Sequence, residues 1–247
     1  MTLLIDGDHL AFTAACAVEQ VVEWETNVWT THSFLSDATK VVETKLKGFI
    51  EIAEDEKVVM TFSSYPTFRH EIYQDYKANR ITKRKPTVFK PLIEWMEQEW
   101  ESIRYANCEG DDVLGVLATS KTYDDPIIVS VDKDMRTIPC KLLAGDDLEL
   151  ITKRQADRNW MKQACSGDPT DNYKGIPGVG LVGADKILGD SIKLEDMWEK
   201  VVEAYKKQKL TYADALLNAR LSRILRQEDI NLNTGKIKLW SPKKKLK

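Results

Sequence analysis

The sequence predicts an α/β fold: a mostly parallel central sheet with helices on both faces, followed by a helical region. Two patterns carry the prediction. Short apolar runs alternate with segments of helical periodicity up to about residue 131, and that alternation implies βαβ units. Beyond about residue 152 the pattern is mostly helical.

The elements follow in order. LLI (3–5) is a short apolar run stopped by DGD, as in a buried strand. Residues 9–18 have helical periodicity. Residues 21–35 set Trp24, Val28 and Trp29 around a polar ETN, the pattern of a small hairpin. Residues 37–54 form an amphipathic helix with Val41, Val42, Leu46, Phe49, Ile50 and Ala53 inward and Ser36 as N-cap. KVVMTF (57–62) is the second strand. Residues 91–101 are helical, with Pro91 in the first position. SIRYA (102–106) is the third strand, and EGDDVLGVLATS opens the next helix. IIVSV (127–131) is the clearest strand, because β-branched residues fill it. A subdomain boundary falls near 152, giving units 1–152 and 153–247.

Composition excludes several classes. The 247 residues are 43% hydrophobic and 30% charged, a globular balance. Seven Trp, eight Tyr and six Phe need burial or a partner, which argues against disorder. No run approaches the ~20 apolar residues of a membrane span. The N-terminus MTLLIDGDHL is not a signal peptide. Cys16, Cys108, Cys140 and Cys165 have no CxxC spacing and read as reduced thiols of a cytoplasmic chain. The net charge is −3, yet residues 69–90 hold seven basic residues against Glu71 and Asp75, and residues 236–247 hold six lysines and no acid. The local field decides whether a polyanion binds.

Acidic residues stand where strands end or helices open: Asp6; Glu109, Asp111 and Asp112; Asp132 and Asp134; Asp168 and Asp171. The C-terminal ends of parallel strands line one edge, where ligands bind. Carboxylates gathered there repel and raise one another's pKa values, and cations relieve them. Hard oxygen ligands select magnesium or manganese, and two such ions about 4 Å apart form the usual clamp for phosphodiester hydrolysis. Singly, each acid also fits a turn or a helix cap. The joint pattern favours a metal cluster.

TFRHEIYQDYKANRITKRK follows the second strand. On a helix Lys77 and Arg80 share a face and could grip a scissile phosphate. A solvated basic face explains them equally well. Phe68, Tyr73 and Tyr76 suit base stacking or a core. In GIPGVGLVGADKIL (175–188), Gly178 and Gly180 let backbone amides approach a phosphate before a helix N-terminus. Gly178, Gly180 and Gly183 fit GxGxxG, but IP stands where a dinucleotide-binding motif needs a strand.

LLIDG, TFRHEIYQDYKANR, EGDDVLGVLA, SVDKD and GDPTDNYKGIPGVGLVGADKIL occur in the order found in the 5′-nuclease (flap endonuclease) superfamily. The chain resembles most the compact 5′→3′ exonucleases of short-tailed bacteriophages. The resemblance implies a PIN-like catalytic domain over 1–152 with a helical arch at about 64–91. It also implies a helical DNA-binding subdomain over 153–247 with a helix-hairpin-helix and a basic tail. By position it makes Asp6, Glu109, Asp111, Asp112, Asp132, Asp134, Asp168 and Asp171 the ligands of two magnesium ions, with manganese as the substitute. Lys77 and Arg80 become the catalytic pair on the reacting phosphate. Arg69, Lys77, Arg80, Lys83, Arg84, Lys85, Gly178, Gly180 and Lys186 become the DNA-binding set, with potassium at the hairpin in some relatives. The implied substrates are duplex DNA with 5′ ends, nicks or flaps, and RNA–DNA hybrids. The implied setting is phage DNA replication and host DNA degradation. Protein partners stay open, with replication proteins the candidates. One departure stands out: many relatives carry an Asp just after the second strand, where this chain has Ser63 and Ser64.

Three other readings compete. A haloacid-dehalogenase-type phosphatase would use Asp6 and Asp8 of DGD, but leaves EGDD without a role. A non-catalytic helix-hairpin-helix protein leaves the acidic cluster without a purpose, since bare carboxylates repel DNA. A PIN-like RNase usually lacks the glycine hairpin.

Overall fold

The computed structural model describes residues 1–54 and 57–243. Strand β1 (Thr2–Asp6) is buried along its length and runs directly into helix α1 (Gly7–Val18). Gly7 is required at this joint. A Cβ there would stand 2.6 Å from the Phe62 ring and 2.7 Å from the Thr61 carbonyl. β2 (Gln20–Glu25) and β3 (Val28–His32) form the expected hairpin, exposed along almost all of its length. α2 (Leu35–Ala53) buries Ala38, Val42, Leu46 and Ala53. Ser36 is not its N-cap: Phe34 takes that position, and Ser36 lies inside the first turn.

β4 (Val58–Thr61) is followed by a segment that is helical only at α3 (Phe68–Ile72) and at a 3-10 turn, Ala78–Arg80. α4 (Phe89–Glu99) begins two residues before Pro91, which is tolerated because first-turn N–H groups have no intrahelical partner. β5 is confined to Glu101–Ile103, shorter than the strand expected over 102–106. α5 (Gly110–Thr119) matches the sequence pattern, while β6 (Pro126–Val129) starts one residue before and ends two residues before the strand expected over 127–131. A 3-10 turn, Lys133–Thr137, leads to β7 (Cys140–Ala144) and β8 (Asp147–Ile151), two strands the sequence reading left unassigned.

The sheet order is β5-β4-β1-β6-β7-β8, parallel throughout except that β8 returns antiparallel to β7. Alternation along the strands feeds two cores. Leu3, Ile5, Met60, Ile127, Val129 and Leu143 point to the face covered by α1, α2 and α4. Leu4, Val59, Ile128 and Leu142 point to the other face, where α5 supplies Val113, Leu114, Val116 and Leu117. Burial on both faces is why these strands read as unbroken apolar runs.

The chain continues through α6 (Lys153–Ser166), β9 (Gly167–Asp168), β10 (Tyr173–Lys174), α7 (Leu181–Leu188), α8 (Leu194–Lys207) and α9 (Tyr212–Leu221). These helices share a core around Trp160, Met197, Trp198, Val201 and Tyr205. After α9 the chain returns to the sheet, and Ile224, Leu225 and Ile230 join the core beneath α5. Buried Arg226 ties the two regions, donating to Asp157 at 2.7 Å and to the Thr137 carbonyl at 2.9 Å. All four cysteines are free thiols, with Cys16 exposed and the others buried. Among the described residues no helix is long and apolar enough to cross a membrane.

Candidate active site

The acidic groups converge because three of them sit at the C-terminal ends of adjacent strands or at the helix that follows. Asp6 ends β1 and caps α1, accepting from the His9 amide and from Ser130 Oγ, both at 3.0 Å. Burial pushes its carboxyl upward. Glu109 caps α5, and its backbone N–H donates to Asp112 at 3.0 Å. Asp132 follows β6 and caps the next turn by accepting from the Asp134 amide at 2.8 Å. Asp168 and Asp171 reach the site from the β9–β10 turn.

Charge is concentrated and only partly relieved. Burial first, and then Asp6, Glu109 and Asp132, push Asp111 well above the usual carboxylate range. Burial and Asp132 push Asp134 to about 6. Asp171 is raised by burial, against the pull of Lys77. Glu109 goes the other way: burial raises it, but Lys77 and Arg69 outweigh burial and hold it low.

Cations thread between these acids. Lys77 has a left-handed backbone, φ 55°, which turns its ammonium inward to Glu109 at 2.6 Å and to Asp171 at 3.8 Å. Arg80 donates to Asp171 at 2.6 Å and to the Thr170 carbonyl at 3.1 Å. The expectation that Lys77 and Arg80 share a helix face is corrected, because Lys77 precedes the 3-10 turn that holds Arg80. They meet through Asp171 instead. Lys133 lies 3.6 Å from Asp168.

Two members of the expected set are committed elsewhere. Asp112 is fully buried, and its oxygens accept from Arg69 at 2.6 and 2.8 Å, from the Leu225 amide and from the Glu109 amide. Arg69 also donates to the carbonyls of Leu221 and Arg223, and its Nη1 lies 3.6 Å from Glu109. Neither faces solvent. Asp112 is therefore corrected from metal ligand to structural anchor, and Arg69 from DNA contact to its partner.

The basic loop divides. Lys83 is exposed, the Lys85 ammonium lies 4.7 Å from the Phe89 ring centroid, and Arg84 pairs with Glu19. Gly178 has φ +75° and open space around it, Gly180 is the exposed N-cap of α7, and Lys186 is exposed on that helix. In the lysine tail, Lys243 borders a groove of about 1210 Å³ with Trp198, Tyr212 and Trp240. Lys244, Lys245 and Lys247 lie outside the described residues.

Sequence reasoning missed three contributors. Tyr76 Oη, placed in the sequence as a stacking or core ring, donates between Glu109 at 3.0 Å and Asp171 at 2.9 Å. Ser130, in the strand motif itself, holds Asp6. Asp8 accepts from the Ser63 amide at 2.7 Å, while Ser63 Oγ accepts from the Gly110 amide at 2.9 Å. Ser63 thus stitches the end of β4 to α1 and α5. Only Asp8 carried a signal, its place two residues after Asp6.

The donors fit hard divalent cations in chemistry: carboxylate oxygens with surplus negative charge, buried or half-buried except at Asp132, which is exposed. As they stand, among the described residues, no three His, Cys, Asp or Glu side chains are set around one metal position. Lys77 bridges Glu109 and Asp171 instead.

A parallel sheet bearing this carboxylate and cation network on its C-terminal edge defines a PIN-like hydrolase of phosphate esters. Comparison with known proteins narrows the class. The family model for the 5′-3′ exonuclease N-terminal resolvase-like domain matches residues 1–163, and the chain belongs to that family of nucleases. It is 28% identical to the exodeoxyribonuclease of Enterobacteria phage T3, over 98% of this chain and 93% of the relative. It is also 28% identical to the exonuclease of Escherichia phage T7, over 97% and 93%. Among solved structures it resembles a bacteriophage T5 flap endonuclease crystallised with DNA and metal ions, with a TM-score of 0.59, 15% identity, and coverage of 90% of this chain and 88% of that one. The phosphatase and non-catalytic readings find no support among these relatives.

Proposed function

We propose that this 5′-3′ exonuclease hydrolyses phosphodiesters near DNA 5′ ends with two divalent cations, magnesium or manganese. Asp6, Glu109, Asp111, Asp132, Asp134, Asp168 and Asp171 would hold them. The observation that carries the reading is Asp111, whose carboxyl is driven up by burial and by Asp6, Glu109 and Asp132 together. Acids gathered in one place and only partly relieved by Lys77, Arg80 and Lys133 support a site that holds cations. When bound, the cations supply an activated water and neutralise charge building on the phosphate.

The chain's own residues do the rest. Lys77 and Arg80, which rest on Glu109 and Asp171, would pass to the substrate phosphate, Lys77 as a compact charge and Arg80 as a fork. Tyr76 fixes the carboxylate oxygens of Glu109 and Asp171. The Gly178–Gly180 turn offers backbone amides to a duplex phosphate, with potassium as a candidate there, and Lys186, Lys83 and Lys85 add basic surface. On this reading residues 1–152 form the catalytic domain and 153–247 a DNA-binding subdomain. Substrates are duplex ends, nicks or flaps, RNA–DNA hybrids are candidates, and products keep a 5′-phosphate. The biological setting is phage replication, with replication proteins as candidate partners.

Product analysis on 5′-labelled blunt, nicked, flapped and hybrid duplexes with magnesium tests the reading. The combined Asp132→Asn and Asp134→Asn variant is expected to lose magnesium-dependent cleavage while folding normally. Unchanged turnover in a folded variant would overturn the metal assignment.

A further inference from the structure

The loop that leads into α4 builds an anion-binding arrangement separate from the carboxylate cluster. Glu19, which ends α1, accepts from four donors. Arg84 Nη1 and Nη2 reach its two oxygens at 2.9 and 2.5 Å, and Thr87 adds its backbone N–H at 2.8 Å and Oγ at 2.9 Å. A guanidinium fork completed by an amide and a hydroxyl recognises phosphate as readily as carboxylate. The frame is fixed: Pro86 and Val88 are buried on either side of Thr87, and Arg84 Nη1 also holds the Lys85 carbonyl at 3.2 Å. Its outer side is open, with the Arg84 side chain 58% exposed and Lys83 and Lys85 exposed beside it.

The spacing is within the length of a duplex engaged at the acidic cluster. α1 starts next to Asp6 and runs for 12 residues to Glu19. At about 1.5 Å per residue the two sites are roughly 18 Å apart, or about five base pairs of duplex.

We propose that Arg84 and Thr87 form a phosphate-binding site for the DNA backbone and that Glu19 is its built-in competitor, exchanged for a phosphate when duplex arrives. The assignment rests on the DNA-directed function proposed above. A phosphodiester carries the same single charge as Glu19 and offers the fork the same pair of oxygens. The Arg84 side of the pair is open to solvent while the Glu19 side chain is only 13% exposed, so a phosphate would approach the fork from the Arg84 side. The hydrogen bonds from Arg84 and Thr87 hold Glu19 down to about 2, so the competitor stays charged at any working pH. Competition then costs affinity in the free enzyme and discriminates against ligands too short to reach the acidic cluster as well.

The test is equilibrium binding of a nicked duplex oligonucleotide in chelator, across a salt series, for the wild type, Glu19→Gln, Arg84→Ala and the double variant. Glu19→Gln is expected to bind more tightly at low salt, with the slope of log K against log salt steeper by about 0.9, because no displaced Glu19 carboxylate takes up a cation to offset the Arg84–phosphate contact. In the double variant that gain disappears, and its slope matches that of Arg84→Ala. Equal or weaker binding by Glu19→Gln overturns the proposal, as does a gain that survives without Arg84, because a general charge effect would then explain it. Melting curves confirm that each variant folds, and Glu19→Ala repeats the test with no amide to re-form the contact. Failure of the wild type to cleave the same duplex once magnesium is restored would count against the nuclease reading, whereas wild-type cleavage with unaltered binding by Glu19→Gln removes this inference alone.

Discussion

Two basic residues of one segment have opposite environments, and their substitution separates folding from chemistry. Arg69 is buried against Asp112, so Arg69→Ala would leave a carboxylate unpaired in the core. A loss of about 3–5 kcal/mol in unfolding free energy is expected by denaturant titration, since breaking one side of a buried pair strands the other charge. Lys77 reaches Glu109 from a left-handed backbone position at the mouth of the site. Lys77→Ala should lower kcat with little change in KM, because a cation near the reacting phosphate counts most as charge develops. Steady-state kinetics decide this, and a pure KM effect would contradict the role. Lys and Arg in YKANR and FRHE look alike in the sequence. The difference arises because α5 and the chain after α9 close over Arg69 and not over Lys77.

At the level of elements, the joint between β1 and α1 is the most constrained. Asp6 must end the strand, cap the helix and face the cluster, and Gly7 lets α1 pass β4 closely enough for that. Gly7→Ala puts a methyl group against the Phe62 ring and the Thr61 carbonyl. The expected cost is about 1–3 kcal/mol, read as a lowered melting temperature, with activity reduced beyond the loss of folded protein because Asp6 shifts with the helix. The segment between β4 and α4 behaves differently. Its helix is limited to α3 and a 3-10 turn, and its course is fixed by contacts with distant residues: the Lys77 amide to the Asp171 carbonyl at 3.0 Å, Asn79 to the Pro169 carbonyl at 3.0 Å, and Arg84 to Glu19. No local propensity could specify that path.

For the whole molecule, the surplus charge on Asp6, Asp111 and Asp134 is a stability cost of the metal-free state. Magnesium or manganese should therefore raise the melting temperature, and chelator should reverse it. At a hundredfold excess over Kd the gain is about 2.7 kcal/mol. Absence of any shift in a folded protein would contradict metal binding at the cluster. The sheet and helical regions should melt together, because Arg226, Asp157 and the return of Ile224, Leu225 and Ile230 join them in shared cores.

The sequence by itself determined the strand and helix alternation, the two-sided burial of the central strands, and the edge on which the acids would stand. Those features are local: apolar runs, cap residues and carboxylates directly after strands. It misplaced Ser36, overextended the strand after α4 and passed over β7 and β8, where the order of apolar residues alone did not separate strand from loop. Only the tertiary structure decided which charges serve the site. Asp111 and Asp112 are adjacent, yet on one helix turn they point about 100° apart, the first toward the acids and the second into Arg69 and the Leu225 amide. Which of two neighbouring carboxylates meets solvent depends on segments up to 113 positions away, and that distance is the physical reason the short-range pattern could not settle it.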